Sequence, residues 1–184
     1  MRGTLGALVA TVIVLATAGA CASSAPTSPH TAATDSSDSS SSPARMTLTS
    51  SAFANAGYIP KTYTCDATGA AVSPPLAWSG VPAGTGWLAL YAYDNTGSVI
   101  HWIIVNLKPT VTALPTNTTG GGVVVSNYLP MCPGSGNTDV YQFTLYAEPA
   151  AYHLPKIGGQ YAVDPDALTA HALGIGTLTA TYSE

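Results

Sequence analysis

The chain has 184 residues, of which 46% are hydrophobic and only 8% charged, with a formal net charge of −4. After Arg45 the only basic residues are Lys61, Lys108 and Lys156. The sequence therefore carries no basic stripe, which argues against nucleic-acid binding and against electrostatic docking on anionic lipid.

In chain order, the first segment reads as a targeting signal. Arg2 precedes an apolar run from Leu5 to Ala18, which is shorter than the roughly 20 apolar residues of a spanning helix; residues 1–20 read as a signal peptide. The segment ends Ala18-Gly19-Ala20-Cys21. Small residues before a cysteine resemble a bacterial lipobox, in which the thiol is acylated and the cysteine becomes the new N-terminus. Ala18-Gly19-Ala20 is also an A-x-A site for ordinary cleavage, which would release a soluble protein. The lipobox and the segment behind it together favour a lipid anchor on the extracytoplasmic face of the cell membrane. That segment, residues 21–45, is Ser, Thr, Pro and Ala with almost nothing to bury, so it is expected to be a disordered tether with a reach on the order of 25 Å. His30 within it is expected to be solvated.

A folded domain is expected over residues 46–184, roughly the size of one ordinary domain with its own core. Strand patterns run over Thr47–Ser51, Lys61–Cys65, Trp87–Tyr93, His101–Leu107, Gly122–Ser126, Val140–Ala147 and Thr177–Tyr182. Gly- and Pro-rich turns separate them, as at Ser73-Pro74-Pro75, Val81-Pro82-Ala83-Gly84, Gly120-Gly121-Gly122 and Pro133-Gly134-Ser135-Gly136. One helix is expected over Pro165–Leu173, with Asp164 as N-cap, Pro165 at its first position and Gly174 as C-cap. The fold class is mainly β, a sandwich with a short C-terminal helix.

Three cysteines are present. With Cys21 acylated, Cys65 and Cys132 remain as an even pair in an oxidising compartment, and a disulfide between them is expected, with two buried free thiols as the alternative.

The chemistry-bearing residues are few. Ser135 does not sit in G-x-S-x-G, no Gly-rich loop opens a helix, and no C-x-x-C or H-x-x-x-H spacing suggests zinc. No cofactor or metal is expected. His153 and His171 read as structural or solvated. His101 differs, because it opens an apolar strand, and Asp94 ends the strand before it, with a six-residue loop between them. If those strands pair antiparallel, carboxylate and imidazole lie at one sheet end, where the carboxylate would orient and charge the ring. Spacing alone also describes an ordinary ion pair at a hairpin end.

A wider set of motifs adds to this. Tyr63-Thr64-Cys65-Asp66, Ser73-Pro74-Pro75-Leu76-Ala77-Trp78 and Val81-Pro82-Ala83-Gly84-Thr85 are followed by Leu88-Ala89-Leu90, Asp94, His101-Trp102-Ile103-Ile104-Val105-Asn106-Leu107, Leu114-Pro115, Cys132-Pro133 and Tyr141-Gln142-Phe143-Thr144-Leu145-Tyr146-Ala147. In this order, over nearly all of residues 46–184, they resemble the bacterial branch of the phosphatidylethanolamine-binding protein family, also called Raf-kinase-inhibitor-like proteins. The resemblance implies two antiparallel sheets, a C-terminal helical region and a small surface pocket for anions such as phosphoryl head groups. It also implies a binding role for Asp94, the His101-Trp102 pair, the Cys132-Pro133 loop and Tyr141.

Two departures stand out. Asn95-Thr96-Gly97 replaces the rest of the family's D-P-D-x-P motif, and Asp139 stands where G-x-H-R-Y has its His. Two acids around one His101 disfavour an anion, so the pocket is expected to persist with a preference moved toward a neutral or cationic group. The leading expectation is a non-enzymatic, lipid-anchored binder of a small molecule or lipid head group, touching the membrane through its anchor only. An inhibitor or interaction module acting on a kinase or serine protease is the second reading. An enzyme with His101 as base is the third, and it lacks a nucleophile, metal set or cofactor motif.

Overall fold

The strand from Thr85 to Asp94 organises the molecule, because it is buried on both faces. Its even positions Leu88, Leu90 and Ala92 enter one apolar cluster, and its odd positions Ala89 and Tyr91 enter another. A strand covered on both sides needs apolar residues at every position rather than at alternate ones, which is the pattern of Trp87–Tyr93. The computed structural model describes residues 42–184. The signal peptide, Cys21 and the greater part of the tether lie outside these residues. No helix among the described residues is long and apolar enough to cross a membrane.

The elements are β1 (Ala44–Arg45), β2 (Thr47–Thr49), β3 (Gly57–Tyr58), a 3₁₀ turn (Lys61–Tyr63), β4 (Leu76–Ser79), β5 (Thr85–Asp94), β6 (Val99–Leu107), β7 (Ala113–Leu114), β8 (Val123–Ser126), β9 (Thr138–Pro149), β10 (Lys156–Ile157), β11 (Gln160–Tyr161), α1 (Pro165–His171) and β12 (Gly174–Ser183). The main sheet runs β1-β12-β9-β5-β6-β8, with β3 also paired to β12. Its long strands are antiparallel, while β1 and β3 join β12 in parallel. The smaller sheet is β2-β4-β7, antiparallel throughout. The main core lies between the sheets, where Leu48, Leu76, Trp78 and Leu114 meet Leu88, Leu90, Ile104, Phe143 and Leu178. On the other face of the main sheet, Leu168 of α1 closes over Ala89, Ile103, Val105 and Tyr146. The expected mainly-β sandwich is thus the observed one.

Cys65 and Cys132 form the expected disulfide, with Cα atoms 5.3 Å apart and a sequence separation of 67. It fastens two backbone segments already joined by Cys65 N–H to Met131 O at 3.1 Å and Met131 N–H to Tyr63 O at 3.3 Å.

Three sequence expectations are corrected. Lys61–Cys65 is not a strand but a 3₁₀ turn followed by a single bridge residue, Thr64. Extended Pro60 leads into it, the Tyr63 and Thr64 N–H groups donate back to Pro60 O and Lys61 O, and Thr64 Oγ1 donates to Lys61 O. These local bonds outcompete a ladder in so short an alternating run. The helix begins as expected, with Asp164 accepting from Asp166 N–H at 2.9 Å, but it ends at His171 with extended Ala172 as its cap. Gly174 is not a cap; it opens β12, where an added Cβ would lie 2.7 Å from Pro82 Cγ. Third, Ala44 and Arg45, placed by composition in the tether, form β1 against Gly174 and Ile175.

Candidate functional site

Asp94 ends β5, and the turn Asn95–Ser98 returns the chain as β6, so the two strands are antiparallel neighbours. The turn is shorter than the six-residue loop expected from sequence. Asp94 shapes it: its Oδ1 accepts from Thr96 N–H at 2.7 Å and Gly97 N–H at 2.9 Å. This is the local side-chain turn at which Asp excels. Gly97 is required there, because a Cβ would sit 2.5 Å from Asp94 Oδ2. The turn is also fastened to β9, through Asn95 N–H to Val140 O and Val140 N–H to Thr96 Oγ1. Asp94 is 3% exposed.

His101 reaches the same place by an irregularity. Ala92 pairs with Trp102, yet Tyr93 pairs with Ile100, which leaves His101 as an extra residue in β6. A bulge of this kind re-aims a side chain beside a site. Both His101 and Trp102 consequently face the inter-sheet side: His101 meets Tyr141 edge-on at 5.2 Å, and Trp102 joins the main core. His101 Nδ1 lies 2.9 Å from Leu129 O. A carbonyl only accepts, so Nδ1 carries the proton and Nε2 is the nitrogen left for other partners. Leu129 N–H in turn donates to His101 O at 2.7 Å. Leu129, which sequence reasoning missed, thus fixes the ring's tautomer and orientation.

Asp139 and Tyr141 lie two apart on β9 and so share a face. Tyr141 pairs with Asp94 across the sheet, and Asp139 pairs with Tyr182. Asp139 is buried. Burial pushes its carboxyl above the ordinary carboxylate range, the neighbouring Asp94 charge and a carboxyl–carboxyl hydrogen bond push it further, and His101 opposes them. A neighbouring carboxylate thus disfavours the ionised form of Asp139. Tyr141 is fully buried and its hydroxyl has no hydrogen-bond partner. Burial and then the Asp94 and Asp139 charges hold that hydroxyl protonated, against a pull from the Cys132 backbone.

Asp94, His101, Asp139 and Tyr141 are therefore together. Pro133 is buried nearby in sequence, while Cys132 is exposed with its disulfide. Trp102, on the same side of the sheet as His101, packs edge-on to Tyr128 at 5.7 Å and lines a cavity of about 120 Å³ with Ser73 and Asn117. Among the described residues, the one group of possible metal ligands within 4.8 Å of one another is Cys65, Asp66 and Glu184. Its Cys65 sulfur is committed to the disulfide, so it offers no thiolate. What the Asp94 site can do is accept and donate hydrogen bonds through the acid pair, the His101 Nε2 and the Tyr141 hydroxyl, in surroundings that disfavour a multiply charged anion.

Sequence reading also passed over Glu148. It is fully buried in β9, both its oxygens lack partners, and burial raises its carboxyl to about 7. The signal was a charge directly after the apolar run Leu145-Tyr146-Ala147 of β9.

Comparison with known proteins agrees with the fold. The family described as phosphatidylethanolamine-binding protein matches residues 49–183. A UPF0098 protein of Mycobacterium tuberculosis is 36% identical over 145 residues, covering 72% of this chain and 69% of that protein. A Mycobacterium tuberculosis protein that carries a lipoprotein name, LppC, is 35% identical over 148 residues, covering 74% of this chain and 72% of its own length. Among solved structures, a phosphatidylethanolamine-binding protein homologue from Chlamydia trachomatis superposes with a TM-score of 0.63 at 30% identity, covering 78% of this chain and 99% of that one. Escherichia coli YbcL, described as a new member of the mammalian family, gives 0.57 at 25% identity, with 76% and 98% covered. With sequence motifs, sheet topology and these relatives in agreement, the chain belongs to the phosphatidylethanolamine-binding protein family.

Proposed function

We propose that this chain is an exported, lipid-anchored binding protein that holds a small neutral or cationic head group at Asp94, His101, Asp139 and Tyr141 and performs no chemistry on it. The observation that carries the reading is the placement of two buried acids by one imidazole: Asp94 pairs with Tyr141, Asp139 lies two residues from Tyr141 on the same strand, and His101 packs on Tyr141. The family resemblance implies a His at the position of Asp139, suited to an anion. A carboxyl there replaces a donor and positive charge with an acceptor and negative charge. A primary ammonium or a hydroxyl can donate to such a pair, whereas phosphate brings like charge against it. The lipobox ending at Cys21 and the lipoprotein name of one relative support anchoring at the extracytoplasmic membrane surface.

Isothermal titration of the mature protein at neutral pH with ethanolamine, phosphorylethanolamine and inorganic phosphate tests this reading. Ethanolamine is expected to bind, phosphate to bind at least about tenfold more weakly, a difference of roughly 1.4 kcal/mol, and His101→Ala to weaken the binding. Tight phosphate or phosphorylethanolamine binding that survives His101→Ala would show the reading to be wrong.

A further inference from the structure

Far from Asp94, at the opposite end of β5 and on the α1 side of the sheet, a cleft of about 280 Å³ is walled by Trp87, Tyr152 and Tyr161. Trp87 and Asp94 are seven residues apart on one strand, about 23 Å at the usual strand rise. We propose that this cleft is a carbohydrate-binding site that takes one pyranose ring of a glycan.

The aromatic wall is pre-organised. Trp87 Nε1 donates to Tyr152 O at 3.0 Å, and the two rings stack with centroids 6.0 Å apart and planes 19° from parallel. Tyr152 stacks in turn on His171 of α1 at 4.1 Å. Fixed aromatic faces offer large contact area at small entropic cost, and the C–H face of a pyranose is flat and apolar enough to lie on them. The facing wall is the β10–β11 hairpin, turned by Gly158 and Gly159 at positive φ. It brings Tyr161, with Lys156 Nζ 4.5 Å from the Tyr161 ring centre.

The polar groups suit hydroxyls. Asn106 sits on β6 at φ 56°, where Val105 and Asn106 together oppose the single β5 residue Ala89. A left-handed, bulged residue inside a strand is a place where backbone strain serves a site. Asn106 Nδ2 donates to the Tyr161 hydroxyl at 2.9 Å, which orients the amide and leaves Oδ1 as an acceptor. Lys156 supplies donors; among the described residues the one ion pair is Lys61–Asp66, so Lys156 is not tied to an acid. The lining includes no carboxylate, unlike a site for an ammonium ion, and its polar rim is unlike a channel for an acyl chain. At about 280 Å³ it falls just under the ~300 Å³ at which drug-sized pockets begin, which fits one ring rather than an extended chain.

The test is titration of the full mature protein with cellobiose, maltose, N,N′-diacetylchitobiose and benzoate, followed by tryptophan fluorescence and calorimetry. At least one disaccharide is expected to bind saturably in the millimolar range or tighter. Trp87→Ala should weaken it about tenfold, or roughly 1.4 kcal/mol. Lys156→Ala and Tyr161→Phe, both at the rim, should weaken it severalfold and serve if Trp87→Ala does not fold. His101→Ala should leave it unchanged. No saturable disaccharide binding up to about 10 mM, roughly tenfold above a 1 mM Kd, would overturn the proposal. So would benzoate binding without any disaccharide binding, or disaccharide binding that ignores both rim variants.

Discussion

Glu148→Gln is expected to stabilise the protein at pH 8 and to remove a slope in its pH–stability curve. Glu148 lies two residues beyond Tyr146 on β9, opposite Trp87, and is fully buried with neither oxygen bonded. Burial raises its carboxyl from 4.5 to about 7. The folded chain therefore binds its proton more tightly than the unfolded chain does. Between those two values the folded state carries more protons, and its stability falls as pH rises. Below pH 4.5 no penalty exists, and above about 7 it is complete. At about 1.4 kcal/mol per tenfold change in proton affinity, that penalty is roughly 3 kcal/mol. Gln keeps the shape and cannot ionise. Urea unfolding of native protein and Glu148→Gln, with the disulfide intact, should diverge from pH 5 to pH 8. The variant should gain on the order of 1–2 M in midpoint at pH 8, for an ordinary urea dependence. Taking the difference between the two proteins cancels titrations elsewhere. A constant difference over that range would refute the reasoning, because it would mean that Glu148 ionises as easily in the fold as in the unfolded chain.

Other outcomes follow from the fold. Replacing Cys65 and Cys132 together by Ala should cost about 4 kcal/mol in unfolding free energy, as the chain-entropy estimate gives for a loop this long; an unchanged denaturation curve would contradict the clamp. Gly174→Ala forces a Cβ within 2.7 Å of Pro82 Cγ and 3.2 Å of Ala44 O, and should destabilise by about 1–3 kcal/mol as overpacking does, measured by the same unfolding assay. Mass spectrometry of the mature N-terminus should find a diacylglycerol-modified Cys21; an unacylated chain starting at Cys21 would rule the anchor out.

Much of the fold was legible because its long strands carry their own pattern. β5, β6, β9 and β12 are apolar, β-branched and aromatic runs bounded by Gly, Pro or Asn, and each was placed to within a few residues. The short elements were not. β3, β7, β10 and β11 have two residues each, too few for a period, and exist because a long-range partner holds them. Lys61–Cys65 shows the converse, an alternating run whose local bonds to Pro60 and Lys61 fold it into a turn.

The site was legible in part. Asp94 and His101 were paired by spacing, and the resemblance added Tyr141 and drew attention to Asp139. The bulge that turns His101 inward was not visible, because it depends on how β5 and β6 register. Nor was Leu129, whose role is carried by its backbone rather than its side chain. The cleft at Trp87 was also hidden, since its walls come from residues scattered between positions 87 and 161.

The preference of the Asp94 site rests on Asp139, and phosphate titration of the native protein beside Asp139→His at neutral pH tests it most directly. Restoring the donor should raise phosphate affinity by about tenfold or more, roughly 1.4 kcal/mol, while ethanolamine binding falls. Equal phosphate affinity in the two proteins would contradict a ligand preference set by the acid pair.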